Sequence, residues 1–176
     1  MHDTLTLRAA CRQDPWIRRH FLDVYGADQV QCRPLGPYPC CAILNTDPVC
    51  QPGQHWVAVY WTSADQGEFF DSYAERPSTS VATWRCFDHF TQSPHALQAW
   101  NSDVCGDYCL YYLYKRCRDV PFARIVKPFH LRDLTYNDQA VLQRMHDVFP
   151  QTLNVEGHPD TPRQRCILRQ AHEVYQ

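Results

Sequence analysis

Residues 55 to 61, His-Trp-Val-Ala-Val-Tyr-Trp, constrain this chain more than any other stretch. Aromatic and β-branched side chains fill the run, which predicts a strand. Thr62 to Gly67 follows as a polar turn, and Glu68 to Ser72 returns as a second strand, so the two together predict a β-hairpin. Cys40 to Leu44 is another short apolar run, ended by Asn45, Asp47 and Pro48, and suits a buried strand. Thirteen prolines break the chain into short elements, with Pro34, Gly36, Pro37 and Pro39 marking a turn-rich crossing.

Helical periodicity flanks this strand region. Trp16, Ile17, Phe21, Val24 and Tyr25 fall on one helical face, predicting a helix over 16–25 that stops at Gly26. Residues 80 to 90 read as a helix capped by Ser80, and His95 to Ala99 as a short extended piece after Pro94. From Cys105 to Cys117 the apolar positions Cys109, Leu110, Tyr112, Leu113 and Cys117 predict a helix buried on one side. Asp138 to Phe149 repeats the pattern through Val141, Leu142, Met145 and Val148, and Thr161 to Gln176 is weakly helical. Helices, then a small sheet, then helices predict an α+β fold: a small central, mostly antiparallel sheet flanked by helices, in a single domain over 1–176.

Charge narrows the function. Seventeen Lys+Arg against nineteen Asp+Glu give a net charge of -2, without the basic excess that nucleic-acid binders carry. Arg116/Arg118 and Arg163/Arg165/Arg169 read as solvated surface charge. The ten cysteines suggest either disulfides or a metal. The chain is too long and aromatic to need staples, and Met1-His2-Asp3-Thr4 lacks a signal-peptide profile, so the thiols are expected free, in a reducing intracellular setting. Cys40, Cys41, Cys50 and His55, or Cys105, Cys109 and Cys117, lack the paired C-x2-C units of structural zinc sites, so no metal is expected. No apolar run approaches bilayer length, and no membrane partner is expected.

Four side chains, in fixed order, then supply a chemistry. His55 starts the central strand, Asp71 ends the returning one, Gln98 lies in a polar stretch, and Cys105 opens a predicted helix beside Gly106. These are the base, the orienting carboxylate, the oxyanion donor and the nucleophile of a thiol hydrolase. A helix N-terminus favours a thiolate, and Asp103 near that start suits the helix dipole. Gly106 leaves room for a substrate carbonyl. Hairpin counting puts His55 and Asp71 a few residues out of register, so a bulge or long side-chain reach is required. Singly, each residue has a structural reading: strand-edge histidine, turn aspartate, surface glutamine, buried cysteine.

The order His, acid, Gln, Cys resembles the adenovirus-type maturation proteases (the adenain group) and, more distantly, the deconjugating proteases of ubiquitin-like modifiers. Papain-like enzymes place the nucleophile before the histidine. The similarity runs through Phe21-Leu22 and Tyr25, Cys41-Ala42-Ile43-Leu44-Asn45-Thr46, Gly53-Gln54-His55-Trp56-Val57-Ala58, Phe70-Asp71, Gln98, Asn101-Ser102, and Cys105-Gly106-Asp107-Tyr108-Cys109, covering roughly residues 20 to 115.

The resemblance implies a cysteine endopeptidase acting on viral or element-encoded precursors at glycine-containing sites, with a Cys105-His55-Asp71 triad and Gln98 in the oxyanion hole. It makes Trp56 a wall of the substrate channel. It implies an activating peptide bound by disulfide to a cysteine near Cys86, and residence in the host nucleus and virion. Two departures modify it. Asp71 in Phe-Asp-Ser looks more like the deconjugating branch, where adenovirus enzymes of mammals use Glu. The near-neutral charge argues against a DNA cofactor. No cofactor is required by the sequence, a monomer is expected, and the alternatives are a deconjugase or a catalytically inactive binding module on the same fold.

Overall fold

Trp56–Trp61, the run of aromatic and β-branched residues, forms the middle strand of a five-stranded sheet and is buried along its whole length. The computed structural model describes residues 2–29, 34, 36–51, 53–76 and 89–153. In chain order the elements are α1 (Thr4–Gln13), a 3-10 turn (Ile17–Arg19), β1 (Phe21–Tyr25), β2 (Cys40–Asn45), β3 (Trp56–Trp61), β4 (Gln66–Phe70), β5 (His89–Gln92), α2 (Cys105–Arg116), α3 (Phe122–Val126), α4 (Leu134–Val148) and α5 (Pro150–Leu153). Strands follow one another across the sheet in the order β1-β2-β3-β4-β5. The pairs β2–β3 and β3–β4 are antiparallel, while β1 on β2 and β5 on β4 are parallel. This is the expected α+β class, antiparallel through the centre of the sheet and parallel at its two edges.

Period-two alternation divides the apolar residues between two cores. Cys41, Ile43, Trp56, Ala58, Tyr60 and Phe70 join the larger one, beneath α1, α2 and α4. Cys40, Ala42, Leu44, Val57, Val59, Trp61 and Phe69 face the other way, against Ala27 and the partly buried Leu22, Tyr25 and Tyr38. Because both faces of β3 are covered, almost every residue of that strand must be apolar.

α2 packs against β3 and is buried over most of its length. Tyr112 stacks on Phe70 at 4.6 Å between ring centroids, and its hydroxyl donates to Glu68. Arg116 Nε donates to the same carboxylate at 2.8 Å, and its guanidinium lies over Tyr60 at 4.3 Å. Arg118 pairs with Asp14 at 2.6 Å and lies 3.8 Å over Tyr114. The two arginines read from sequence as solvated surface charge are therefore ties between elements.

Two of the expected elements differ. The helix expected over 16–25 is a single 3-10 turn followed by β1. Val24 pairs with Ile43 and Tyr25 with Leu44, and across a register shift between Phe21 and Val24 the side chains divide, Phe21 and Val24 toward one core, Leu22 and Tyr25 toward the other. Pairing with β2 overrides a periodicity that both structures satisfy, and Trp16 is left 45% exposed. The N-terminal helix lies upstream instead: Asp3 caps it by accepting from Thr6 N–H at 2.7 Å, and Leu7, Ala10 and Cys11 form its buried stripe.

The helix expected over 80–90 falls mostly on residues outside those described, but its last two residues belong to β5, whose ladder to β4 excludes helix there. Residues 95–99, expected as a short extended piece, form a loop with neither helix nor strand pairing. The weakly helical 161–176 lies outside the described residues. Among the described residues, no helix is long and apolar enough to cross a membrane.

Gly53, two residues before His55, has φ +69°. A Cβ there would lie 2.4 Å from the Asn45 side-chain nitrogen, while Asn45 Oδ1 accepts from Asp47 N–H at 2.9 Å. Gly53→Ala is expected to lower unfolding stability by roughly 1–3 kcal/mol through left-handed strain and this collision. Urea denaturation measures it, and an unchanged midpoint would contradict the geometry.

Candidate active site

The site lies where the ends of β3 and β4 meet the start of α2. The β3–β4 ladder pairs Ala58 with Phe70 and continues regularly to Trp61 with Gly67. Extended past its end, that register offsets His55 and Asp71 by two residues. No bulge corrects the offset; side-chain reach crosses it. His55 Nε2 lies 2.7 Å from Asp71 Oδ1, with both residues buried.

Asp71 is itself held. Its Oδ1 also accepts from Tyr73 N–H at 2.8 Å, and its own N–H donates to Ser93 Oγ at 3.0 Å. With Nε2–H donated to Asp71, the neutral ring keeps its lone pair on Nδ1. Nδ1 is buried and makes no hydrogen bond among the described residues. Burial alone pushes the imidazolium pKa down, but hydrogen bonding to Asp71, the neighbouring Cys105 thiol, and the negative charge of both raise it to about 9. Cys105 is thus a close neighbour of the ring. Tyr73 tilts against the imidazole at 4.7 Å between centroids and limits its swing.

Cys105 is the first residue of α2, preceded by Val104, which offers no side-chain cap. The first-turn N–H groups of a helix have no intrahelical partners, and the dipole there favours negative charge. Cys109, one turn on, is fully buried, and burial pushes its thiol well up. Only the first cysteine of the pair sits at the helix start beside an imidazole.

Gln98 is almost wholly buried and orientated from both ends. Its Oε1 accepts from Ser72 Oγ at 2.7 Å. Its Nε2 donates to Ser102 O at 2.8 Å and lies 3.1 Å from both Tyr73 Oη and Ser102 Oγ. The preceding backbone is pinned: Leu97 N–H and Gln98 N–H donate to Ser72 O, while Leu97 O accepts from Tyr108 Oη at 2.9 Å and Asn137 Nδ2 at 3.0 Å. Asp138 receives Tyr108 Oη at 3.0 Å and Ala99 N–H at 3.2 Å. Side chains of α2 and α4 therefore hold the loop that carries Gln98.

The two residues assigned to substrate contact, Trp56 and Gly106, are buried. Trp56 is 2% exposed and donates its indole N–H to His2 O at 3.0 Å, so it is core. The space beside Gly106 is taken by the N-terminal segment: a Cβ there would meet Leu7 Cδ2 at 3.1 Å and His2 Cδ2 at 3.4 Å. Asp103 lies immediately before the N-cap Val104, and Asp107 is the acid within the first turn of α2. Cys86 lies outside the described residues. Sequence reasoning missed Ser72, Tyr73, Ser93, Ser102 and Asp138. Ser72 and Tyr73 directly follow the acid, and that adjacency was the available signal.

No family model matches the chain. Two viral proteins resemble part of it. The protease of porcine adenovirus A serotype 3 is 30% identical over 105 residues, which is 48% of this chain and 51% of that protein. The cysteine protease S273R of African swine fever virus is 26% identical over 112 residues, 53% of this chain and 39% of that protein. The chain thus spans about half of the first relative's length and less of the second's. The crystal structure of the African swine fever virus pS273R protease superposes with a TM-score of 0.50 at 17% identity, covering 80% of this chain and 66% of that one. The fold is that of this protease structure, and the resemblance to the adenain-type cysteine proteases stands on sequence comparison as well as on the order of the four residues.

A chemical-shift titration of the His55 ring is expected to show a midpoint near pH 9. Asp71→Asn and Cys105→Ala should each lower it, because each removes a raising influence. The raised value means that folding favours the imidazolium. Its contribution to stability is complete below about 6.5, the unperturbed histidine value, and is lost as pH rises through about 9. A midpoint below 7 in the unmodified protein would refute the arrangement.

Proposed function

We propose that the chain is a cysteine endopeptidase in which Cys105 is the nucleophile, His55 the base and Asp71 its orienting carboxylate. One observation carries this reading. The His55–Asp71 hydrogen bond of 2.7 Å leaves Nδ1 without a hydrogen-bond partner among the described residues, in the surroundings of Cys105 at the start of α2. Nδ1 takes the thiol proton, and the thiolate attacks the peptide carbonyl. The imidazolium, stabilised by Asp71, then protonates the leaving amine. Water, deprotonated by the same nitrogen, hydrolyses the thioester and regenerates the thiol.

Negative charge developing on the carbonyl oxygen meets the Cys105 N–H and, in this reading, Gln98. Nε2 has two hydrogens, and the short bond to Ser102 O uses one. The longer contacts are to two hydroxyl oxygens, weaker neutral acceptors at 3.1 Å that a charged oxyanion would outcompete for the second hydrogen.

The two viral relatives are named proteases, and on that footing we propose precursor proteins as substrates, with cleavage at glycine-containing sites and action in the host nucleus and virion. We propose activity as a monomer without a DNA cofactor. The near-neutral charge favours this, as does the engagement of Arg116 with Glu68 and of Arg118 with Asp14. Cys11, Cys40, Cys41, Cys105, Cys109 and Cys117 are thiols, consistent with a reducing setting. An activating peptide attached near Cys86 stays part of the proposal.

With Trp56 buried, the aromatic surface near the site is Trp100, 87% exposed on the loop between Gln98 and Cys105. Apolar exposure of that size is a natural contact for a bound peptide. The Phe-Asp-Ser setting of Asp71 favours, as a second reading, a deconjugase of a ubiquitin-like modifier.

Cys105→Ala should abolish cleavage of glycine-containing peptides while leaving thermal stability nearly unchanged, and residual turnover would remove the assignment. Gln98→Ala should lower kcat by about 10²–10³-fold, the usual cost of one oxyanion donor. Cys109→Ala should alter stability but not kcat. Labelling of Cys105 by a short diglycine electrophile, but not by a ubiquitin-like protein bearing the same group, separates the maturation protease from the deconjugase; absence of both indicates a binding module. Trp100→Ala should raise KM with kcat nearly unchanged, and an unaltered KM would exclude that contact.

A further inference from the structure

The N-terminal segment, α2 and α4 bring together three side chains that the proposed chemistry leaves unused. His2 Nε2 lies 2.9 Å from Asp107 Oδ1. The ligand atoms of His2, Asp107 and His146 all fall within 4.8 Å of one another. Asp107 is 1% exposed, and among the described residues its ion pair is with His2. His146 also lines an open cleft of about 700 Å³ together with Gln139, Leu142, Gln143, Asp147 and Pro150.

A buried carboxylate is costly unless positive charge faces it. Two imidazoles and one carboxylate from three separate segments form the donor set that suits borderline divalent cations such as Zn²⁺, Co²⁺ and Ni²⁺. Metal–ligand bonds of about 2.0–2.2 Å put neighbouring tetrahedral donors roughly 3.3–3.5 Å apart, so small rotations of partly exposed imidazoles suffice. The carboxylate is fixed on a long buried helix. The histidines are half-buried, and the cleft beside His146 gives a hydrated ion its route in.

We propose that His2, Asp107 and His146 form a three-ligand site for a divalent cation of the Zn²⁺ class. The bound ion clasps the N-terminal segment and α4 to the helix that begins with Cys105. It neutralises the Asp107 carboxylate, and water completes its coordination. The segment it fixes is the one that packs beside Gly106 and accepts the Trp56 indole N–H. The ion takes no part in peptide hydrolysis, and the site stands whether or not the chain is a protease.

Cobalt titration into reduced Cys105→Ala protein tests this without interference from the reactive thiol. One equivalent of Co²⁺ should bind, with weak visible d–d bands and no intense near-ultraviolet sulfur charge transfer; Zn²⁺ should displace it, and the melting temperature should rise. His2→Ala and His146→Ala should each weaken binding at least about tenfold, as ligand loss should cost no less than loss of a supporting shell. Leu142→Ala, on the same cleft, should bind normally. Should His146→Ala fail to fold, His146→Gln carries the same expectation. Absence of cobalt binding, sulfur charge transfer, or equal affinity in the histidine variants would overturn the site.

Discussion

β3 is covered by apolar side chains on both faces, and the rest of the molecule is arranged around that burial. Even-numbered side chains of Trp56–Trp61 face α2, odd-numbered ones face the opposite layer, and neither face can be exposed without loss of core. The antiparallel ladder with β4 is consequently fixed in register, since a slip by one residue would exchange the two faces. Fixing that ladder fixes where its open end lies; Asp71 is the first residue beyond it on β4, and His55 lies three residues before Ala58 on the β3 side. The same face of β3 that receives α2 sets where Cys105, the first residue of the helix, comes to rest.

Polar side chains around the site are tied into one continuous set of hydrogen bonds. Asp71 holds His55, Ser93 holds the Asp71 backbone, Ser72 and Ser102 hold Gln98, and Tyr73 touches both the imidazole and the glutamine amide. Such groups are buried at a cost that only complete pairing repays. His55 Nδ1, which has no hydrogen-bond partner among the described residues, departs from that rule, and the proposed mechanism gives it a use as the base. Around this set the N-terminal segment closes the far side of α2, filling with His2 and Leu7 the space that the absence of a side chain on Gly106 leaves.

Much of the fold was legible in order and pattern. The hairpin, the buried strand at Cys40–Asn45 and the helix from Cys105 follow from local composition, because strand and helix periodicities there have no competitor. Residues 16–25 failed for the opposite reason. Their apolar spacing satisfies a helix and a strand alike, and pairing with β2, contributed by residues more than a dozen positions away, decided between them. The helix at Thr4–Gln13 is readable from the Asp3 cap and the Leu7, Ala10, Cys11 stripe.

The four candidate residues, their order and their separate chemical aptitudes were determined by the sequence alone, since base, acid, amide and thiol are properties of side chains. Their relation in space was not. A two-residue register offset left open whether His55 and Asp71 meet, and a 2.7 Å contact made by side-chain reach answered it. Trp56 and Gly106 could not be told from substrate contacts by their neighbours in sequence, because what covers them comes from His2 and Leu7. Local pattern encodes what each residue can do; only packing of distant segments decides which neighbour it does it with.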